Sequence, residues 1–137
     1  MIIRIAAEQD LPGILEVYAQ PGMDGEQVLS VNDAKVIFDR MVSYPDYHVY
    51  VAEMDGKIVG TFALAIMDNL AHMGRKSGLI EDVAVSRTLQ GQRIGREMMR
   101  FAIETCREKA TAHKLRNRRQ SEQYPRLIEP NIIHIAN

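Results

Sequence analysis

The stretch VAVSRTLQGQRIGREMM, Val83–Met99, decides the fold class of this chain. It starts as an apolar β-type run, passes through a polar turn that contains Gly91, and continues in a pattern typical of an amphipathic helix. The turn carries no Asp or Glu, and arginines lie in it and directly after it, at Arg87, Arg93 and Arg96. A strand-to-helix turn with glycines, arginines and no acid predicts a binding place for a phosphate-bearing ligand.

Length and composition indicate one ordinary globular domain. The chain has 137 residues, 46% of them hydrophobic and 26% charged, and a formal net charge of -1. A charge so near zero argues against general nucleic-acid binding. The single cysteine, Cys106, excludes an internal disulfide and favours a reducing cytoplasm. No apolar run is long enough for a signal peptide or a membrane span, so a cytoplasmic protein without a membrane partner is predicted.

The flanking sequence predicts a mixed α/β domain with elements in the order β-α-α-β-β-β-α. Asp55-Gly56 predicts a tight hairpin turn, and Asn32 or Asp33 is expected to cap the second helix. Strands are predicted at residues 2–5, 47–53, 58–66 and 78–85, and helices at 7–19, after residue 32 or 33, and at 91–109.

A helix start favours an anion because its first N–H groups are unpaired and its macrodipole is positive there. Glycine lets a phosphate approach the backbone and permits positive φ. The alternative is that Gly91 and Gly95 only close a tight connection and that the arginines are solvated. The motifs GxxxxGK[ST] and GxGxxG are both absent, which excludes a Walker loop and a dinucleotide fold.

Val83-Ala84-Val85, followed by Gln90-Gly91-Gln92-Arg93-Ile94-Gly95, resembles the acetyl-CoA-binding core of the GNAT superfamily of N-acetyltransferases. That pattern is a strand ending V-x-V, a short spacer, and [QR]-x-x-G-x-[GA] opening a helix. Gln90 matches its first position and Gly95 its last, while Arg93 stands where glycine is most common. IRIAAEQDLPGILEVY and YVAEMDGKIVGTFAL resemble the family's opening strand and helix and its central hairpin, so the resemblance covers about residues 2–109.

The resemblance implies a GNAT-type fold, with a mixed, mostly antiparallel sheet flanked by helices, and acetyl-CoA as co-substrate without a metal. In that family the fourth strand and its neighbour splay apart around the pantetheine arm. The resemblance places that arm at Val83 and Val85 and the pyrophosphate on the N–H groups of Gly91–Arg96. The implied cofactor-binding residues are Val83, Ala84, Val85, Gln90, Gly91, Gln92, Arg93, Ile94, Gly95 and Arg96.

Two acids lie in the strand that the resemblance puts beside the cofactor, Glu81 and Asp82. Acetylation requires a neutral amine, so Glu81 is the candidate base, directly or through water, and both acids are candidates for orienting the substrate. Strand alternation predicts that they point to opposite faces. The alternative is that one of them reaches solvent or pairs with Arg75 or Lys76.

The usual distal half of the family's site has no counterpart here. Members usually carry a tyrosine for the leaving thiolate near a segment resembling N-x-x-A-x-x-F-Y-x-x-x-G-F, and the surroundings of Tyr124 do not match it. His72 is interpreted as a surface loop residue, and the Arg116–Arg119 cluster as solvated. Two hypotheses follow: an N-acetyltransferase that acts on a primary amine of a small molecule or peptide, or an acetyl-CoA-binding or interaction module with little activity.

The sequence divides into an acetyl-CoA-binding core, residues 1–109, and an atypical tail of the same domain, residues 110–137. True divergence, truncation and a frame change in the source gene are the alternatives for this tail, and the abrupt loss of periodicity favours the last two. Ile132–Ile135 is predicted to add a strand within the chain or on a partner. The resemblance favours a homodimer through C-terminal strands.

Overall fold

The computed structural model describes residues 1–21, 27–71, 74–117 and 133–135. The strands are β1 (Ile2–Ile5), β2 (Tyr47–Met54), β3 (Lys57–Met67), β4 (Ser77–Val85) and β5 (Ile133–Ile135). The helices are α1 (Leu11–Tyr18), α2 (Val31–Val42) and α3 (Ile94–Asn117), with short 3-10 turns at Glu8–Asp10 and Arg87–Leu89. Within these residues no helix combines the length and the apolar character that crossing a membrane requires.

The strands form one sheet in the order β1-β2-β3-β4-β5. Neighbours from β1 to β4 are antiparallel, and β5 runs parallel to β4. The tight turn between β2 and β3 is confirmed, since Asp55 and Gly56 both have positive φ, 52° and 74°. The sequence therefore predicted the mixed, mostly antiparallel sheet correctly.

The larger hydrophobic core lies between the sheet and α3. Phe62 is fully buried at the centre of β3 and stacks on Tyr50, with ring centroids 5.1 Å apart. Gly60 lets α3 come close, because a Cβ there would lie 2.7 Å from the sulfur of Met98. Burial of side chains as large as Phe62 and Met98 contributes about 1.5–3 kcal/mol each.

Helices α1 and α2 cover the opposite face of the sheet around the fully buried Val51. Arg4 joins β1 to both neighbouring elements, because its guanidinium forms ion pairs with Asp10 at 2.6 Å and with Glu53 at 2.8 Å. The hydrogen bonds from Arg4 lower the pKa of Asp10, although burial of that carboxyl acts in the opposite direction. This network stabilises the start of α1 against the sheet.

Several predicted boundaries need correction. Helix α3 begins at Ile94 and not at Gly91, because Gly91 and Arg93 have positive φ, which a right-handed helix excludes. It continues past Lys109 because neither glycine nor proline interrupts the chain before Asn117. Ser30, and not Asn32 or Asp33, caps α2 by accepting a hydrogen bond from the Asp33 N–H at 3.1 Å. Helix α1 spans only Leu11–Tyr18 of the predicted 7–19.

The predicted tail strand is confirmed for Ile133–Ile135, which pair with β4 of the same chain. The predictions for His72, Tyr124, Ile132 and the side chains of Arg116–Arg119 lie outside the residues whose structure or side chains are described. The division of the chain at residue 109 stays a prediction.

Candidate functional site

Strand β4 has one paired half and one open half. On the side away from β3, β5 pairs with Gly78, Leu79 and Ile80. From Asp82 to Val85, β4 pairs only with β3 in the part of the chain that the structure describes. An unpaired strand edge offers N–H and C=O groups to an extended partner. This open edge contains Val83 and Val85, where the sequence predicted the pantetheine arm.

A β-bulge marks the point at which the edge opens. Thr61 opposes Ala84 and Ala63 opposes Glu81, so Asp82 and Val83 together face one residue of β3. Asp82 has φ 53°, in the left-handed region. The bulge interrupts the alternation from which the orientations of Glu81 and Asp82 were predicted, so alternation alone does not govern these two side chains.

The two acids of β4 occupy different surroundings. Glu81 lies in register with Ala63 on the face covered by α1 and α2, and it is half-buried, whereas Asp82 is exposed. Neither carboxylate has an ion pair among the described residues. The alternative that one acid reaches solvent is confirmed for Asp82. The pair with Lys76 that this alternative also allowed is not formed, since Lys76 binds Asp68 at 2.7 Å. A half-buried carboxylate without a cation is a group that can accept a proton.

Tyrosines surround these acids. The Tyr18 hydroxyl donates to the carbonyl oxygen of Asp82 at 3.3 Å. Tyr47 stacks on Tyr44, with ring centroids 6.0 Å apart. Burial raises the pKa of Tyr47, and the negative charges of Glu81 and Asp82 raise it further, so its hydroxyl stays protonated at neutral pH. Tyr47 is not singled out by the sequence, because no local pattern shows which acids a strand residue will approach.

The open edge leads directly into the start of α3. Ser86 donates its N–H to Val59 at 2.8 Å, and a 3-10 turn then brings the chain to Gly91, which has φ 84°. A Cβ added at Gly91 would meet no atom within 4 Å, so the space beside it is open. The hydrogen-bond ladder of α3 starts with Glu97 N–H to the Arg93 carbonyl at 3.0 Å. The N–H groups before it have no acceptor within the helix.

Arg93 explains the sequence departure noted above. Its φ of 65° is left-handed, a conformation that costs an L residue about 1–2 kcal/mol and costs glycine nothing. Glycine, which the family pattern has at this position, would adopt the same conformation without that cost. Arg93 retains that geometry and adds a charge.

A charged surface begins at this first turn of α3 and runs along the outer face of the helix. Arg93, Arg96, Arg100 and Arg107 line it, with Glu97 and Glu104 between them. Arg100 forms an ion pair with Glu97. The remaining excess of positive charge suits an anionic ligand that extends from the helix start.

Comparison with known proteins gives the class of this fold and site. The family model described as "Acetyltransferase (GNAT) family" matches residues 12–124. The glucosamine 6-phosphate N-acetyltransferase of Arabidopsis thaliana is 29% identical over 98 residues, which are 69% of this chain and 64% of that relative's length. Its crystal structure matches at 22% identity with a TM-score of 0.70, covering 93% of this chain and 96% of the other.

Other solved structures agree. A structure from Agrobacterium tumefaciens str. C58 is 27% identical, covers 94% of this chain and 98% of its own, and has a TM-score of 0.72. A GNAT family acetyltransferase from Staphylococcus aureus has a TM-score of 0.74 at 13% identity, covering 99% of this chain and 85% of its own, which shows the fold alone. The chain belongs to the GNAT family of acetyltransferases, which uses acetyl-CoA as co-substrate. The family resemblance is confirmed, and the assigned site residues stay predictions.

Proposed function

We propose that this chain transfers the acetyl group of acetyl-CoA to a primary amine of a small molecule or peptide. One observation carries the proposal: in a chain of the acetyltransferase family, an open strand edge is followed directly by a helix start. No Asp or Glu lies between Val83 and Arg96, the residues that connect the two. A peptide-like arm matches the first feature and a diphosphate matches the second. The module hypothesis gains no support from the comparisons.

The residues around the junction suit acetyl-CoA. Val83 and Val85 offer backbone groups to the pantetheine arm. The proposed place of the diphosphate is at the N–H groups of Gly91–Arg96, among which the Gln92 N–H also donates to the Leu89 carbonyl oxygen at 3.3 Å. The open space beside Gly91 lets the diphosphate approach. Arg93 and Arg96 add positive charge next to the same turn. In this proposal the backbone of the junction supplies most of the affinity for acetyl-CoA, and the shape of that backbone supplies the specificity for this co-substrate.

Glu81 is the proposed base. Acetyl-CoA supplies the thioester when it is bound. Glu81 takes a proton from the ammonium group, directly or through water, and the neutral nitrogen then forms a bond to the acetyl carbon. The C–S bond breaks and the thiolate takes up a proton. Asp82, exposed at the bulge, is proposed to orient the incoming amine by its charge.

Thiol release from acetyl-CoA tests this function. The acceptor panel contains glucosamine 6-phosphate, a polyamine, free amino acids and a peptide with a free N-terminus, because the acceptor is not determined by the site. Glu81→Gln is expected to lower acetyl transfer about a hundredfold, the low end for a general base, while leaving the affinity for acetyl-CoA unchanged. Glu108→Gln, an exposed acid on α3, is the matched control.

Full activity in Glu81→Gln ends the assignment of that residue. Absence of thiol release with the whole panel, together with absence of acetyl-CoA binding in calorimetry, overturns the proposed function. The homodimer also remains a prediction, and sedimentation of the protein with and without residues 120–137 tests it.

A further inference from the structure

We propose that Tyr18 and Gln20, at the end of α1, are positioning residues that hold the open half of β4 in the shape that acetyl-CoA requires. The inference rests on the proposed function, because it concerns the same strand edge. Neither residue belongs to the motif of the strand-helix junction, and both reach it from a distant part of the sequence.

Tyr18 acts on the bulge. Its hydroxyl donates to the carbonyl oxygen of Asp82, the residue with φ 53° at which β4 leaves regular pairing. Aspartate tolerates the left-handed region better than most residues but adopts it less readily than the extended region, so a contact that orients its peptide favours the bulged form. The bulge in turn sets the direction of Val83, the residue of the open edge that follows Asp82.

Gln20 acts on the other end of the same edge. Its side-chain N–H donates to the Val17 carbonyl in the last turn of α1, and its side-chain oxygen accepts from the Arg87 N–H. The two contacts fix the orientation of the amide, since a carbonyl can only accept and a backbone N–H can only donate. Gln20 therefore ties the end of α1 to the residue that opens the 3-10 turn.

The two contacts bracket the segment Val83–Ser86. This segment has no second neighbouring strand in the described residues, yet its ends are held by α1, and Ser86 is bonded to Val59 on β3. An edge kept in one conformation before binding loses less entropy when a ligand pairs with it. The contacts from α1 thus keep the unpaired edge of β4 in a single conformation.

The experiment uses the full chain and the variants Tyr18→Phe and Gln20→Met. Tyr18→Phe removes the hydrogen bond to the Asp82 carbonyl oxygen, and Gln20→Met removes the hydrogen bond from the Arg87 N–H. Calorimetry is expected to give a Kd for acetyl-CoA raised about three- to tenfold, the effect of losing one hydrogen bond. Hydrogen exchange without ligand is expected to be faster at the amides of Val83–Leu89. The matched control is Ser43→Ala, which removes a side-chain bond to the Arg40 carbonyl at the end of α2.

A further variant separates positioning from helix capping. Gln20→Glu keeps an acceptor for the Arg87 N–H but loses the donor to Val17, whereas Gln20→Met loses both. Slow exchange at Val83–Leu89 in Gln20→Glu, with fast exchange in Gln20→Met, supports the inference. Equal exchange in the two variants, or a lowered melting temperature with unchanged Kd, overturns it. If the wild-type chain itself does not bind acetyl-CoA, the proposed function fails together with this inference. If the wild-type chain binds acetyl-CoA and the variants bind it equally well, only this inference fails.

Discussion

The two halves of β4 differ in how their backbone is satisfied. Ser77–Ile80 is flanked by β3 and β5, while Asp82–Val85 has β3 on one side and, as far as the described residues go, an open edge on the other. The first half is bound into the sheet by regular pairing. The second is held by a bulge, a turn and side chains from α1. One strand can thus serve both as a structural core and as a binding edge when a single bulge separates the two parts.

The paired half is also more tightly packed. Gly78 faces Cys106 on α3, and Asn69 donates to the Ser77 hydroxyl oxygen at 2.6 Å. Lys109 on α3 forms an ion pair with Asp46, directly before β2, at 2.5 Å. Substitutions here are expected to change stability, and substitutions at the open half are expected to change binding.

The largest expected effect is at the open half. Gly95→Glu places a carboxylate in the first turn of α3, where it would repel the diphosphate of acetyl-CoA. Two negative charges about 4 Å apart repel each other by several kcal/mol in a partly screened site. Calorimetry is therefore expected to show at least about a hundredfold loss of affinity for acetyl-CoA.

The fold itself should accept the change. An acid near a helix N-terminus is favourable, and a Cβ at Gly95 would lie 3.6 Å from Val85, an ordinary contact. Gly95→Ala is the size control, with a smaller loss of affinity than Gly95→Glu. Unchanged binding in Gly95→Glu means that acetyl-CoA does not lie at this turn.

The next effect is at the paired half. Gly78→Ala would place a Cβ 2.5 Å from the Cys106 sulfur, which is buried. Such overpacking is expected to lower the free energy of unfolding by about 1–3 kcal/mol in urea denaturation. The Kd for acetyl-CoA of the folded protein should not change.

A second substitution sharpens this prediction. Cys106→Ala removes the clashing sulfur, so the double variant Gly78→Ala with Cys106→Ala should recover part of the stability lost by the first change. Additive losses would contradict the packing explanation. A change in Kd for acetyl-CoA would show that the two halves of β4 are not independent.

The smallest expected effect concerns the ion pair that ties α3 to the paired end of the sheet. The hydrogen bond from Lys109 lowers the pKa of Asp46 from its ordinary value of 3.8. The pair's contribution is therefore present above about pH 4 and is lost as the pH falls through the folded-state pKa. Both side chains are partly exposed, so Lys109→Met should cost only about 0.5 kcal/mol near neutral pH.

Thermal unfolding between pH 2 and pH 7 measures that contribution. The wild-type and Lys109→Met curves should converge in acid and separate above about pH 4. A constant difference across the range would mean that the effect of Lys109→Met does not come from the ion pair with Asp46.

The sequence by itself determined the features that depend on neighbouring residues. Asp55-Gly56 predicted its hairpin turn because these residues tolerate positive φ. The amphipathic pattern after Gly91 predicted the helix α3, on which Ile94, Met98 and Ala102 are buried because helical geometry places them on one face. The strand-helix junction was predictable because its glycines and arginines are close neighbours in the sequence.

Only the tertiary structure decided how the open edge is built. The bulge at Asp82 depends on the register with β3, and the contacts of Tyr18 and Gln20 depend on where α1 packs. The left-handed Arg93 and the start of α3 at Ile94 follow from the path that the chain takes out of β4. These features join residues far apart in sequence, and no local pattern encodes them, because the packing of helices on the sheet sets their distances.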